Sequence, residues 1–448
     1  MNTPICDFVN RYVESEMLRM HMPGHKGVGA LGVESRDITE IDGADSLYEA
    51  TGVIRESEKN AGNLFDAHTF YSTEGSSLCI RAMLHLVCLY ARERGEKPLI
   101  AAGRNAHKSF ISAAALLDFE LTWLFPARRG SSYLSCGIDA LWLEQELAEM
   151  ERKPTAVYLT NPDYLGNMVD VAAIAEVCHR HSVLLLVDNA HGAYLKFLPE
   201  SLHPMDLGAD LCCDSAHKTL PALTGSAYLH VSKQAPELFA KQAKSALALF
   251  GSTSPSYLIL QSLDAVNRYL AEEYPEKLRG FLREVETLKD ELRAHGYVLR
   301  EQEPLKLTLA TKGYGYTGRE FAALLLEKGL VCEFADPDFV VLMLTPELGN
   351  DGMKRLKDTL LSVPQKTAIA ERLPEFMLPE REMSVREAMF SPSEEILAAE
   401  SVGRVLAVAS VGCPPAVAVA VSGERIDCSA AECFAYYGMD TCVVVKKI

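Results

Sequence analysis

Two stretches of the sequence place ionisable side chains shortly after apolar runs that are typical of buried β-strands. Residues 183–187 are apolar, and the first polar residue after them is Asp188. Residues 211–213 form a second apolar run, which leads into the motif Ser-Ala-His-Lys that ends at Lys218. In an open α/β sheet the carboxyl ends of parallel strands meet at one edge, where ligands bind. We therefore expect Asp188 and Lys218 to share one crevice.

A carboxylate and a lysine at such an edge suit the cofactor pyridoxal 5′-phosphate (PLP). A lysine that is partly desolvated at a strand end can form a Schiff base with the cofactor aldehyde, and an acid beside the pyridine nitrogen keeps the ring an electron sink. Taken alone, Ser-x-His-Lys is a weak signal, and Lys218 is equally well explained as a loop lysine. Lys108, in Asn-Ala-His-Lys-Ser at 105–109, is a second candidate for the same role.

Four motifs together resemble the PLP-dependent ornithine/lysine/arginine decarboxylase family, and the resemblance extends over residues 17–430. They are His-Met-Pro-Gly-His-Lys-Gly at 21–27, Asp-Ile-Thr-Glu at 37–40, Asp-Asn-Ala-His-Gly at 188–192 and Ser-Ala-His-Lys at 215–218. The resemblance implies an α/β fold of the aspartate aminotransferase type (PLP fold type I). In this fold a large domain with a mostly parallel sheet is joined to a smaller C-terminal α/β domain.

The same resemblance implies a reaction, the α-decarboxylation of a basic amino acid to a polyamine and CO₂. Arginine is slightly favoured over lysine and ornithine, because the chain resembles the short biosynthetic enzymes and lacks the long N-terminal wing of the large inducible ones. Two alternatives stay open. The first is another PLP enzyme of this fold, such as an aminotransferase or a β-eliminating lyase. The second is a PLP-binding homologue without catalysis.

The resemblance also assigns roles to individual residues. Lys218 binds the cofactor, because the family's lysine follows the strand that carries the aspartate, and Asp188 pairs with the pyridine nitrogen. Lys218, or His217 beside it, returns a proton to the substrate. His107 stacks on the cofactor ring. The other residues expected to bind the cofactor in this part of the site are His191, Ser215 and, as a neighbour of Lys218, His217 again.

A phosphate site is expected where small residues precede a long apolar segment with a helical pattern. Gly75, Ser76 and Ser77 occupy this position, and the free N–H groups of a helix N-terminus bind phosphate. The resemblance implies that Ser252 and Thr253 reach the phosphate of a neighbouring subunit. We therefore expect a homodimer whose sites are shared between subunits.

Three positions depart from the family pattern. Asn189 stands where an acidic residue is common after the aspartate, Tyr194 stands where a histidine is common, and Ser422 replaces the proline of Pro-Gly-Glu. The first two closely follow Asp188, so they bear on substrate choice and on activity. The third concerns a C-terminal turn.

Composition limits the class of protein further. The 448 residues include 44 Lys and Arg against 61 Asp and Glu, and the formal charge of −17 argues against nucleic acid and mildly favours cationic ligands. Neither a signal peptide nor an apolar run of the roughly 18 residues that span a membrane is present, so we expect a cytoplasmic protein with no membrane partner. The 12 scattered cysteines fit buried thiols in a reducing compartment, and their spacing supports no metal site.

Strand and helix patterns alternate along the chain at the spacing of βαβ units, which predicts a mostly parallel sheet. The expected parts of the chain are an irregular N-terminal arm (1–60), a PLP-binding large domain (61–285), a small α/β domain (286–365) and a C-terminal decarboxylase-type subdomain (366–448). Within the last part, residues 405–421 predict two strands joined by a Pro-Pro turn.

Overall fold

A computed structural model describes residues 1–126, 136–300, 302–375, 377–411 and 418–447. In these ranges the α-helices are, in chain order, α1 Pro4–Glu14, α2 Val53–Phe65, α3 Gly75–Glu93, α4 Lys108–Leu117, α5 Ala140–Glu149, α6 Val171–Arg180, α7 Ala216–Thr219, α8 Glu237–Ala248, α9 Tyr257–Glu272, α10 Tyr274–Ala294, α11 Gly318–Glu327, α12 Gly349–Leu361, α13 Val385–Phe390 and α14 Cys428–Tyr436.

The strands of the same residues are β1 His68–Ser72, β2 Leu99–Gly103, β3 Glu120–Leu124, β4 Ala156–Thr160, β5 Leu184–Asp188, β6 Leu211–Asp214, β7 Ala227–Val231, β8 Lys306–Ala310, β9 Phe334–Ala335, β10 Phe339–Met343, β11 Ser393–Leu397, β12 Ser410–Val411, β13 Ala420–Val421 and β14 Thr441–Val445. The strands predicted from the apolar runs at 183–187 and 211–213 are present as β5 and β6, with ends that differ by one residue. Strand β1 was not predicted.

The large sheet has seven strands in the order β1-β7-β6-β5-β4-β2-β3. Strand β5 pairs with β6 in parallel, and β2 pairs with β3 in parallel. Strand β7 runs antiparallel to both β6 and β1. Every residue of β5, β6 and β7 is buried, which explains why their sequences are nearly continuous apolar runs and do not alternate with polar residues.

The chain divides into two compact units. The first contains residues 1–98, 149–158 and 171–279, and the second contains residues 99–148, 159–170 and 280–448. The second unit has its own three-stranded sheet, β8-β10-β9, and the pair β11-β14. An apolar cluster packs within it, and its buried members include Phe339, Val341, Leu406, Ile426, Phe434 and Val444. The four parts expected from the sequence remain a prediction.

The N-terminal 60 residues are not irregular throughout, so this expectation was wrong. Helix α1 forms because Ile5, Phe8, Val9 and Tyr12 recur at helical spacing, and it buries Ile5 and Val9. The Asp264 carboxylate accepts the backbone N–H groups of Ile5 and Cys6, both at 2.9 Å. The first turn of α1 is therefore capped by a residue that is distant in sequence.

The C-terminal strand pair is shorter than predicted. Strands β12 and β13 pair antiparallel over two residues each, with Ser410 opposite Val421 and Val411 opposite Ala420. The predicted Pro-Pro turn, at 414–415, lies outside the described residues. No helix in the described ranges is both long and apolar enough to cross a membrane.

Replacing Asp264 by alanine should destabilise the first unit. The change leaves the N–H groups of Ile5 and Cys6 without their acceptor and removes the partner of the Ser57 hydroxyl, which lies 2.5 Å from the carboxylate. Because each buried donor without a partner costs about 1–3 kcal/mol, we expect Asp264→Ala to lower the free energy of unfolding by about 3 kcal/mol. Urea unfolding followed by circular dichroism at helical wavelengths measures it.

Glu237→Ala is the matched control, because this acid pairs with Lys241 one helical turn away on an exposed surface. Its effect should stay within about 0.5 kcal/mol. Equal losses for the two variants would contradict the capping role of Asp264.

Candidate active site

The site lies in the first unit, where β5 and β6 end side by side. Asp188 is the last residue of β5 and lies opposite Cys213 of β6. Strand β6 ends one residue later, and Ser215 precedes the one-turn helix α7, which carries Lys218. The parallel pairing thus brings the carboxylate and the lysine-bearing turn to the same edge, as expected from the two apolar runs.

Three donors hold the Asp188 carboxylate, which is only 2% exposed. The Tyr158 hydroxyl donates to Oδ2 at 3.1 Å, the Ala190 N–H donates to Oδ1 at 3.2 Å, and the Cys213 thiol lies 3.6 Å from Oδ1. Burial raises the pKa of Tyr158 and of Cys213 well above their ordinary values. Both groups therefore keep their protons and serve as donors, which fixes the orientation of the carboxylate.

Lys218 contacts a histidine of the neighbouring strand end. Its Nζ lies 3.1 Å from Nε2 of His191, which follows Asp188 by three residues. The residue before Lys218 is His217, and its Nδ1 lies 2.9 Å from the Ser226 carbonyl oxygen. Because a carbonyl only accepts, His217 donates to it through Nδ1, and Nε2 is the nitrogen that can take up and release a proton. The amine and two imidazoles are thereby placed around the turn after β6.

Helix α3 presents its N-terminus to the same region. It begins at Gly75, whose φ of +70° requires a left-handed conformation that favours glycine. The N-cap residue, Glu74, makes no side-chain cap bond, so the first turn is not closed by its own sequence. The Ser76 hydroxyl accepts from the Ser215 hydroxyl at 2.8 Å. This bond joins the start of α3 to the turn before Lys218.

Gly225 allows the segment before β7 to approach the start of α3 closely. Its carbonyl accepts the Gly75 N–H at 2.8 Å. A Cβ at Gly225 would lie 2.9 Å from the Thr73 carbonyl oxygen, and its φ is +97°. Both the space and the backbone conformation therefore require glycine.

These residues fit PLP by the chemistry of their donors and acceptors. A buried carboxylate suits a ring nitrogen, an amine suits an aldehyde, and an uncapped helix N-terminus with serine hydroxyls suits a phosphate. The residues that would hold the group are Asp188, Lys218, His191, Ser215, Ser76, Ser77 and Gly75.

Three other predicted site residues, Ser252, Thr253 and His107, belong to other elements. Ser252 and Thr253 are exposed, and the Ser252 N–H donates to Oε1 of Glu74 at 2.6 Å. The contact places this loop beside the start of α3 in the same chain. His107 belongs to the second unit, where it is the N-cap of α4 and its Nδ1 accepts the Ser109 N–H at 3.2 Å. Its role in stacking remains a prediction.

A buried ion pair near His107 was missed from the sequence. Arg104 and Glu424 are 0% and 2% exposed, and they form two parallel bonds of 2.6 and 2.7 Å. The Arg104 guanidinium also lies 4.8 Å from the ring centroid of Trp123. The pair fixes the loop between β2 and α4, which carries His107. An arginine directly after an apolar strand was the only local signal for it.

Comparisons with known proteins identify the family and the fold. The family described as Orn/Lys/Arg decarboxylase, major domain, matches residues 3–308. The chain belongs to this family, as its motifs predicted.

Two relatives and one solved structure show how far the similarity extends. Arginine decarboxylase of Bacillus subtilis is 28% identical over 463 residues, which cover 95% of this chain and 91% of the relative. Arginine decarboxylase of Halalkalibacterium halodurans is also 28% identical, with the same coverage of both chains. Lysine decarboxylase A from Pseudomonas aeruginosa superimposes with a TM-score of 0.79 at 19% identity, covering 99% of this chain and 80% of that one. The expected fold class is confirmed.

Removing Glu424 should strongly destabilise the second unit. Glu424→Ala leaves the Arg104 guanidinium buried without its counter-charge, and breaking a buried pair in this way costs about 3–5 kcal/mol. Both tryptophans of the chain, Trp123 and Trp142, lie in this unit, so urea unfolding followed by tryptophan fluorescence reports on it directly.

The partly exposed pair of Glu382 with Arg425 supplies the control. Glu382→Ala should change the unfolding free energy by less than about 1 kcal/mol. If Glu424→Ala also lowered the unfolding free energy by less than about 1 kcal/mol, the buried pair would not stabilise the unit.

Proposed function

We propose that the chain is a PLP-dependent decarboxylase of a basic amino acid, with arginine slightly favoured as the substrate. One observation carries the proposal. In a member of this family, the parallel ends of β5 and β6 bring the buried carboxylate of Asp188 and the turn that bears Lys218 to one edge, and helix α3 starts there without a side-chain cap from Glu74.

When bound, the pyridinium ring of PLP supplies an electron sink for the pair of electrons that CO₂ leaves behind. The residues of this chain would position PLP and transfer protons. Asp188 would pair with the ring nitrogen, and the Tyr158 and Cys213 donors would keep its carboxylate in place. The N-terminus of α3, with Ser76 and Ser77, would hold the phosphate.

Lys218 and its neighbours have the geometry for proton transfer. Because His191 Nε2 lies 3.1 Å from Lys218 Nζ, the imidazole would accept a hydrogen bond from the lysine and orient it. After CO₂ has left, Lys218 or His217 would return a proton to the substrate carbon. The fixed Nδ1 donation of His217 leaves its other ring nitrogen for this step.

The preference for arginine is supported by the relatives, since two arginine decarboxylases match 95% of the chain. The formal charge of −17 also favours a cationic substrate. Product analysis separates the alternatives, because a keto acid would indicate transamination, whereas CO₂ with a polyamine indicates decarboxylation. The cytoplasmic location stays a prediction.

Lys218 should be essential, whereas Lys108 should not be. With PLP-loaded protein we expect Lys218→Ala to reduce CO₂ release from arginine, lysine and ornithine by about 10³-fold or more, and to abolish the visible absorbance of bound cofactor. Lys108→Ala is the matched control, because Lys108 is exposed at the start of α4 and is the other candidate for the same role.

Decarboxylation that persists in Lys218→Ala would reject the assignment. Loss of both the absorbance and CO₂ release in Lys108→Ala alone would transfer the role to that residue. Cofactor absorbance in the unaltered protein without turnover on any of the three amino acids would favour a homologue without catalysis.

We also propose a homodimer, supported by the exposed apolar side chains of the N-terminal arm at 17–33. Six of them are at least 66% exposed: Met17, Leu18, Met20, Met22, Val28 and Leu31. Exposed apolar side chains at this density are typical of an interaction surface. A second copy would cover them and would bring a partner to the shared sites expected from the sequence.

Light scattering should give twice the chain mass of 49.2 kDa. Leu18→Glu combined with Leu31→Glu should shift the protein towards the single-chain mass, because a buried carboxylate without a partner is costly in an interface. Leu141→Glu, at an 80% exposed position outside the arm, should leave the mass unchanged. A single-chain mass for the unaltered protein would contradict the proposal.

A further inference from the structure

A second carboxylate is buried next to the candidate site. Asp214, the last residue of β6, is fully buried, as are His203, His230 and Asn189 around it. Nε2 of His203 and Nε2 of His230 lie 3.0 and 3.1 Å from its Oδ2, and Nδ2 of Asn189 donates to its Oδ1 at 2.7 Å. Both oxygens of one carboxylate are thus engaged by three side chains, which we call the Asp214 cluster.

The partners of the two imidazoles decide what the cluster is. His203 Nδ1 accepts the Met205 N–H at 3.3 Å, and His230 Nδ1 lies 2.9 Å from the Thr69 hydroxyl, which can donate to it. Each ring then carries its proton on Nε2 and donates it to Asp214. His203, Asp214 and His230 are close enough together to suggest a metal site, but a metal would need the Nε2 lone pairs. The geometry favours a hydrogen-bonded cluster.

Charge supports the same interpretation. Burial tends to raise the pKa of Asp214, but the imidazoles of His203 and His230 outweigh it and hold this pKa well below its usual range. Burial lowers the pKa of His230, so its ring is neutral near pH 7. Asp214 therefore stays an anion and needs donors on both of its oxygens.

Of the three donors in the Asp214 cluster, Asn189 is the one beside Asp188, the residue proposed to pair with the ring nitrogen of PLP. It directly follows Asp188, and its backbone N–H donates to the Cys213 carbonyl at 3.0 Å. Its side chain packs against Gly192, where a Cβ would lie 2.0 Å from Asn189 Oδ1. An acid in this space would bring a second carboxylate to within hydrogen-bond distance of Asp214. Two buried like charges at that distance cannot both ionise.

We propose that Asn189 and Asp214 are a matched amide–carboxylate pair that positions the residues beside them, Asp188 and Ser215. The pair connects the end of β5 to the end of β6, and Ser215 continues the connection to Ser76. Both residues are positioning residues, and their catalytic meaning depends on the proposed function. The pairing also accounts for an amide at position 189, where the sequence departs from the family pattern.

A cycle of variants tests the pair: Asn189→Asp, Asp214→Asn and the reciprocal double variant. Asn189→Asp should lower the Tm of the cofactor-free protein by about 5 °C or more and weaken PLP binding, measured by visible absorbance, by about tenfold or more. The double variant should recover most of both losses, since amide and carboxylate exchange places and an amide oxygen can accept from both imidazoles. Asn10→Asp, on the exposed face of α1, controls for the added charge.

The inference is overturned if Asn189→Asp lowers Tm, PLP affinity or soluble yield equally in the unaltered protein and in the Asp214→Asn variant. The two residues would then act independently. Failure of the unaltered protein to bind PLP would reject the proposed function, while the Tm cycle would still decide whether the pair is matched. Normal PLP binding by the unaltered protein without coupling between the substitutions would overturn the inference alone.

Discussion

The parallel pairing of β5 with β6 is the constraint on which the candidate site depends. The register that places Asp188 opposite Cys213 sets which side chains meet where the two strands end. Because side chains alternate across a sheet, a shift of one residue would turn Asp188 to the other face and away from its donors. The apolar residues of both strands enforce the register, since the same shift would also move their buried side chains. The packing of the core thus fixes the chemistry of its edge.

Burying charged carboxylates at this edge of the sheet costs free energy, and their hydrogen bonds offset that cost. Asp188 and Asp214 lie on adjacent strand ends, and both are buried. Each has its own donors: Tyr158, Cys213 and a backbone N–H for the first, and two imidazoles and an amide for the second. Separate donor sets offset the cost of burying two carboxylates close together.

Local signals could be predicted from the sequence, whereas distant contacts could not. The strand ends at Asp188 and Lys218 and the helix start at Gly75 follow from apolar runs and the residues after them. Tyr158 and His203 have no such signal, because their partners are chosen by the fold. Arg104 directly follows the apolar run of β2, but nothing local indicates its partner, Glu424. Strand β1 was missed because its sequence, His-Thr-Phe-Tyr-Ser, is not a continuous apolar run. Helix α1 had a helical pattern of apolar residues that was overlooked.

The cap of α1 has a consequence for the order in which the protein becomes structured. The carboxylate that accepts the N–H groups of Ile5 and Cys6 is at position 264, more than 250 residues later in the chain. At about 5–20 residues per second, synthesis reaches that residue only after more than ten seconds. Until then α1 lacks its cap, and short isolated helices are marginal in water. Helix α1 is therefore secured only after synthesis has passed residue 264.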